Sequence, residues 1–204
     1  MKGKVRGFTL VELAIVLVII GIILGAVLKG QELIFNAKVK RLQSQAKELM
    51  AAVYTYYDKY GYFPGDDPSA PTRWTGAPNG GGDGFITAGY CDAPAEESCY
   101  VFRHLRYANI ITGDPTVADP TMITPKHAWG GPINVFHGNY TIGGTPRQGL
   151  WMTFHNLPGE AAEAFDRLMD DGKCNSGSMG AYAGACDSNG NYQRDVLYHI
   201  WFNW

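Results

Sequence analysis

From Phe8 to Leu28 the chain reads FTLVELAIVLVIIGIILGAVL, 21 residues in which Glu12 is the one ionisable side chain. At about 1.5 Å of rise per residue this makes roughly 30 Å of helix, enough to cross the hydrocarbon core of a bilayer. A carboxylate inside such a run is costly near the bilayer centre and less so toward its edge. Something must favour keeping Glu12. After Lys29 the apolar pattern thins to a stripe: Phe35, Val39, Leu42, Ala46, Leu49, Val53, Tyr56 and Tyr60. The gaps alternate between four and three, which predicts a helix with one buried face. Gly61 and Pro64 in YGYFPGDDP stop it, one as a C-cap and the other by forbidding continuation. The expectation is one helix from Phe8 to about Lys59, half membrane anchor and half spine.

The leader MKGKVRG is basic and free of acids, which keeps it on the cytoplasmic side and sends the rest of the chain across the membrane. A secretory signal peptide places small residues after its apolar core. Here the core ends GAVLKGQEL without an AxA pattern, and the small residue, Gly7, stands in front of the core and before Phe8. GFTLVEL, with the basic leader before it and the apolar run after it, resembles the class III signal peptides of type IV pilins and type II secretion pseudopilins. The resemblance covers residues 1–28. It implies that a prepilin peptidase at the cytoplasmic face cuts after Gly7 and methylates the new N-terminus, Phe8, and that Glu12 serves assembly. Cleavage creates an ammonium at Phe8, about one helical turn before Glu12. In a staggered filament Glu12 meets the Phe8 amine of a neighbour, where an unpaired charge is costly, and the pairing sets axial register. The plainer role for Glu12 is to complement the helix dipole near an N-terminus. Gly21 and Gly25 form a GxxxG spacing that lets helices approach closely. Many type IV pilins carry a proline in this helix; this chain has none between Phe8 and Tyr60.

The implied organisation is a cleaved leader (1–7), a transmembrane half-helix (8–28), an amphipathic half (29–60) and a globular head (61–204). The head holds the turn-rich segments PGDDPSAP, APNGGGDG, CDAPAEESC and TGDP. VFRHLRYANI (101–110) reads as a short helix with Val101, Phe102, Leu105 and Ala108 inward. PINVFHGNYTI (132–142) and GLWMTFHNL (149–157) are strand-like, separated by GGTPRQ. PGEAAEAFDRLMDDG reads as a helix with Pro158 near its start and Gly172 at its stop, and DVLYHIWFNW as a final strand. The fold class expected is α+β, a small antiparallel sheet packed on the spine. Four cysteines beside a membrane-targeting segment point to disulfides in an oxidising compartment. Four allow three pairings; short loops favour Cys91–Cys99 and Cys174–Cys186. The late pair also resembles pilin-like heads whose C-terminal loop is closed by a bond.

PNGGGDGFI has part of a calcium-loop skeleton in Asn79, Asp83, Gly84 and Ile86, but no acid at Gly81 and Tyr90 where a bidentate glutamate belongs. Asp66, Asp67, Asp92, Glu96 or Glu97 can fold back to complete a site; the alternative is a glycine-rich turn. CDSNGN, with Asp187 and Asn189, is a poorer version of the same idea. His104, His127, His137, His155 and His199 show no metal-binding spacing, although His137 and His155 fall on neighbouring strands. No GxSxG, Walker loop or GxGxxG after a strand is present. Trp129, Trp151, Trp201 and Trp204 read as core or subunit packing, with a sugar-binding or adhesive patch as the alternative. No catalytic residue emerges, and a net charge of −2 gives no electrostatic case for nucleic acid. The resemblance implies a structural subunit of a type IV pilus-like filament, co-assembled with itself or related pilins by inner-membrane machinery. Its head is periplasmic before assembly, then displayed on a surface pilus. The alternatives are a subunit of a periplasmic secretion pseudopilus, or a membrane-anchored module binding calcium, glycan or DNA.

Overall fold

The computed structural model describes residues 9–87, 89–181 and 186–204. The chain divides into two compact units, residues 1–38 and 39–204. Helix α1, Leu10–Tyr60, runs through both. In the first unit every side chain from Thr9 to Lys29 is exposed. This segment buries nothing against its own chain, as expected of a helix whose solvent is lipid. A Cβ added at Gly21 or Gly25 meets nothing within 4 Å, so neither glycine is required by packing within the chain.

In the second unit α1 turns amphipathic, and Val39, Leu42, Ala46, Leu49, Ala52, Val53 and Tyr56 are buried. Ala52 joins the expected stripe, while its two ends, Phe35 and Tyr60, are only half-buried. Gly61 ends the helix with φ +77° while its N–H donates to the Tyr57 carbonyl at 2.7 Å, a left-handed C-cap. The end is held from the side by the buried Asp67, which accepts the Tyr56 hydroxyl at 2.7 Å and pairs with Arg73. Arg73 lies in a one-turn helix α2, Ala70–Arg73, and its guanidinium covers the rings of Tyr60 and Trp74.

Helix α3 spans Glu97–Tyr107 and α4 is a single turn, Pro120–Ile123. Strand β1, Ile133–Ile142, and β2, Thr145–Pro158, form an antiparallel hairpin. Its turn is Gly143–Gly144, with φ of +55° and +82°, the two-residue connection that glycine allows. The expected loop GGTPRQ is therefore shorter than its sequence suggests. Thr145, Pro146 and Gln148 are exposed, so this end of the strand carries no alternating apolar signal. Helix α5 is Gly159–Met169, β3 is Met179–Ala181 and β4 is Leu197–Asn203. The sheet order is β1-β2-β4-β3, antiparallel throughout.

Register assigns the two faces. Ile133, Val135, Met152, Phe154, Ile200 and Phe202 share one face. Phe165 of α5 meets Phe154 there at 4.9 Å, and Ile133 borders the same groove as Leu49 and Ala52 of α1. The opposite face carries Phe136, Trp151 and Trp201, capped by Tyr90 and Tyr140 in edge-to-face contacts. Trp151 and Trp201 are thus core residues. The fold is a long, apolar N-terminal helix followed by a small antiparallel-sheet head, the α+β pilin-like architecture expected.

Candidate functional site

The first turn of α1 is closed by a reciprocal pair. Glu12 Oε2 accepts both the Thr9 N–H and the Thr9 hydroxyl, each at 2.8 Å, while the Glu12 N–H donates back to Thr9 Oγ1 at 3.2 Å. This is a capping box: N-cap threonine and N3 glutamate each satisfy a donor that the helix leaves open. TLVE carries the Ser/Thr-x-x-Glu signature, so the sequence contained this pairing and the dipole reading named only part of it. Glu12 Oε1 has no hydrogen-bond partner among the described residues. Gly7 and Phe8, the expected scissile bond and methylation site, lie outside the described residues.

The helix beyond Glu12 is long and apolar enough to cross a membrane. Residues 2–28 match the family model of the prokaryotic N-terminal methylation motif. No curated protein and no solved structure matches the chain. Together the motif and the architecture are those of structural pilin-type proteins rather than of catalytic domains, with a prepilin-type N-terminus on an anchoring helix and a β-sheet head. They fit processing by a peptidase and assembly from within a membrane.

In the head, Cys91 bonds Cys99 and Cys174 bonds Cys186, across separations of 8 and 12 residues. The first ties the loop before α3 to its first turn. The second closes the segment that contains β3.

The 79–84 loop turns its amides inward. Asp66 Oδ1 accepts the N–H groups of Gly82 and Asp83 at 2.6 and 3.0 Å, and Oδ2 that of Gly84 at 2.9 Å. Glu97 takes the N–H of Gly81 and, from the far side, both the N–H and hydroxyl of Thr87. Asp83 accepts from the Phe85 N–H in its own turn. A calcium loop must point oxygens at its ion; here the loop surrounding Asn79 and Asp83 points donors at two carboxylates. Asp66 and Glu97 do fold back, and they are what the glycines wrap. Gly80 has no room for a Cβ, which would fall 2.2 Å from the Asp66 backbone. Burial still raises the Asp66 carboxyl above its ordinary value, against the lowering by these amides.

Carboxylates converge elsewhere. Asp166, Asp170 and Asp171 place oxygens within 4.8 Å of one another at the end of α5, a spacing that can hold a divalent cation. Within the chain they already accept hydrogen bonds: Asp166 from Tyr192 Oη and the Gly172 N–H, Asp170 from the Ser178 and Met179 N–H groups, Asp171 from Lys173 N–H and Ser176 Oγ. Burial is the main cause that lifts the Asp166 carboxyl to about 7; Asp170 and Asp171 push the same way and the Tyr192 hydroxyl opposes them. Asp187 binds Asn189 and Asn191 N–H groups in a closed turn.

The five histidines are structural. His104 Nδ1 accepts the Gly65 N–H and His127 Nδ1 that of Trp129; His137 Nδ1 accepts that of Ile86. His137 and His155 lie on adjacent strands but on opposite faces, so they do not meet. His155 instead meets His199. The Cys91 N–H donates to Asn134 Oδ1, which turns Asn134 Nδ2 toward His155 Nε2 at 3.1 Å. His155 therefore carries its proton on Nδ1 and donates it to His199 Nδ1 at 2.7 Å, an assignment read from the network. Each acceptor nitrogen is engaged, and none is left to a metal ion. Burial lowers all five from the ordinary value, His104 and His155 to about 4.

Proposed function

We propose that this chain is a structural, non-enzymatic subunit of a type IV pilus-like filament. Prepilin peptidase cuts between Gly7 and Phe8 and methylates the Phe8 amine. Residues 8–28 then hold the subunit in the inner membrane with its head on the periplasmic side, until Glu12 pairs with the Phe8 amine of a neighbour. The observation that carries this reading is the methylation motif over residues 2–28, set on a helix exposed on every side from Thr9 to Lys29. A helix apolar on all faces and bare of its own chain needs lipid or neighbouring helices as its solvent. The two disulfides suit a head displayed outside the reducing cytoplasm, on a surface pilus.

Intact-mass analysis of mature protein tests processing: the chain begins at Phe8 and carries one methyl. A mature chain beginning near Lys29 overturns the reading. Electron microscopy of cells whose sole copy carries Glu12→Ala tests assembly. Processed subunits accumulate in the inner membrane and filaments are lost or scarce. Wild-type filament number and length in that strain refute the role of Glu12 in register.

A further inference from the structure

A small recess opens where the 85–87 segment crosses the edge of β1. It encloses about 170 Å³ and is lined by Phe85, Thr87, His137, Asn139 and Gln148, with Ile86 and two glycines. No charged side chain is among the described residues that line it, although the Asp83 carboxylate acts on His137 from outside the lining. Phe85 is 48% exposed, which leaves part of its apolar ring open to solvent beside the recess. Its ring meets His137 edge-on at 5.5 Å. His137 also meets Phe63 at 4.9 Å, and Phe63 meets Tyr57 at 4.6 Å; Tyr57 is 42% exposed. The four rings make a band of aromatic surface beside the recess.

The polar groups are as specific as the rings. The Ile86 N–H donates to His137 Nδ1, and the Ile86 carbonyl accepts the His137 N–H, so the imidazole is held to the strand edge in one tautomer. Its proton is on Nε2, which has no partner among the described residues. Burial lowers the ring from its ordinary value, with the Asp83 carboxylate opposing. Asn139 and Gln148 stand opposite each other in the β1–β2 register, on the same face as His137. Both are exposed, and neither side chain has a hydrogen-bond partner among the described residues. The recess thus combines a half-open aromatic ring, one fixed N–H donor and two amides that donate and accept.

We propose that this recess binds a neutral saccharide ring. Such a ring has an apolar C–H face to lay on Phe85 and equatorial hydroxyls that both donate and accept, matching Asn139, Gln148 and the His137 N–H. The absence of lysine, arginine and carboxylate from the lining argues against phosphorylated or acidic sugars. The volume suits one ring, so affinity for a monosaccharide is weak, and repetition of the site along a filament multiplies it.

The test is saturation-transfer NMR on the full chain in a non-glycosidic detergent. The probes are methyl galactoside, methyl glucoside and methyl N-acetylglucosaminide. At least one probe takes up saturation, and Phe85→Ala weakens its binding by roughly three- to tenfold, the usual weight of an aromatic contact. Asn139→Ala weakens it as well, with near-ultraviolet circular dichroism and melting unchanged because the Asn139 side chain makes no hydrogen bond among the described residues. No transfer to any of the three, or equal transfer to wild type and both variants, overturns the proposal. So does loss of filaments in Phe85→Ala without any saccharide signal, since the band is then a contact between subunits.

Discussion

Acid weakens the head through His104. The ring is fully buried between Tyr56 and Tyr100. Its Nδ1 accepts the Gly65 N–H and its Nε2–H donates to the Pro78 carbonyl, both at 2.9 Å. A proton added at Nδ1 places N–H against N–H and a cation in the core. Burial accordingly lowers the imidazole from 6.5 to about 4; Arg103 and Arg73 push the same way, while the Pro78 carbonyl and Glu97 oppose. Between those two values the unfolded chain binds more protons than the folded one, so stability is lost as pH falls from about 6.5 through about 4. At about 1.4 kcal/mol for each tenfold change in proton affinity, the full loss is about 3 kcal/mol. Asp166 works against it. That carboxyl is raised to about 7, so its unfavourable contribution appears as pH rises from 3.8 through about 7 and is relieved by acid. A raw stability profile therefore mixes two opposite slopes.

A difference measurement separates them. Asparagine at position 104 keeps an acceptor near Nδ1 for the Gly65 N–H and does not titrate. Urea unfolding of wild type and His104→Asn, followed by tryptophan fluorescence, gives a stability difference at each pH in which Asp166 cancels. That difference shrinks by about 3 kcal/mol between pH 7 and pH 4. A difference constant to within about 0.5 kcal/mol refutes the argument, because it means His104 either ionises freely in the fold or is not held by both bonds.

Asp166→Asn keeps an acceptor for Gly172 and a donor for Tyr192; in the same assay the part of the slope between about pH 4 and pH 7 that opposes His104 disappears. Replacing Cys174 and Cys186 by serine frees a 12-residue separation and lowers unfolding stability by about 3 kcal/mol on loop-closure grounds; a change under about 1 kcal/mol contradicts that. Thr9→Ala removes the N-cap hydroxyl, costs about 1 kcal/mol of helix stability and leaves filaments near normal by electron microscopy. Glu12→Gln preserves the capping box but not the charge, so its filaments are lost if the carboxylate pairs across subunits and normal if capping is its whole role.

Much of this was legible because it was repetitive. The apolar run and the alternating gaps of four and three each repeat one instruction, and the helix appears where they place it. Strand β1 and the 149–157 part of β2 follow from dense β-branched and aromatic residues. What escaped notice depends on residues far apart or on single turns. Strand β3 is three residues long and contains a glycine, so its pairing with β4 is the whole of its signal. Helix α3 starts at Glu97, four residues before the expected segment. With that start Ser98, Cys99 and His104 face inward, and Ala108 becomes the C-cap. The wrapping of residues 82–84 around Asp66 joins residues 16 to 18 apart, and nothing in PNGGGDG distinguishes a loop that offers amides from one that offers oxygens.

In the proposed filament Glu12 serves two states. The single chain uses one of its oxygens: Oε2 takes both bonds from Thr9, and the helix start is closed. Oε1 remains without a partner among the described residues. A residue whose only task was capping could be glutamine, which fills the box without bringing a charge into an apolar segment. The carboxylate gains its advantage only when a cation comes within reach of the open oxygen; under the processing and assembly proposed above, the amine at Phe8 of each neighbour is that cation. Capping then aids the pairing. It fixes the rotamer of Glu12 before assembly, so less side-chain freedom is lost when the neighbour arrives. On this argument the capping box and the intersubunit pair are successive uses of the same geometry, and the charge is what distinguishes the second.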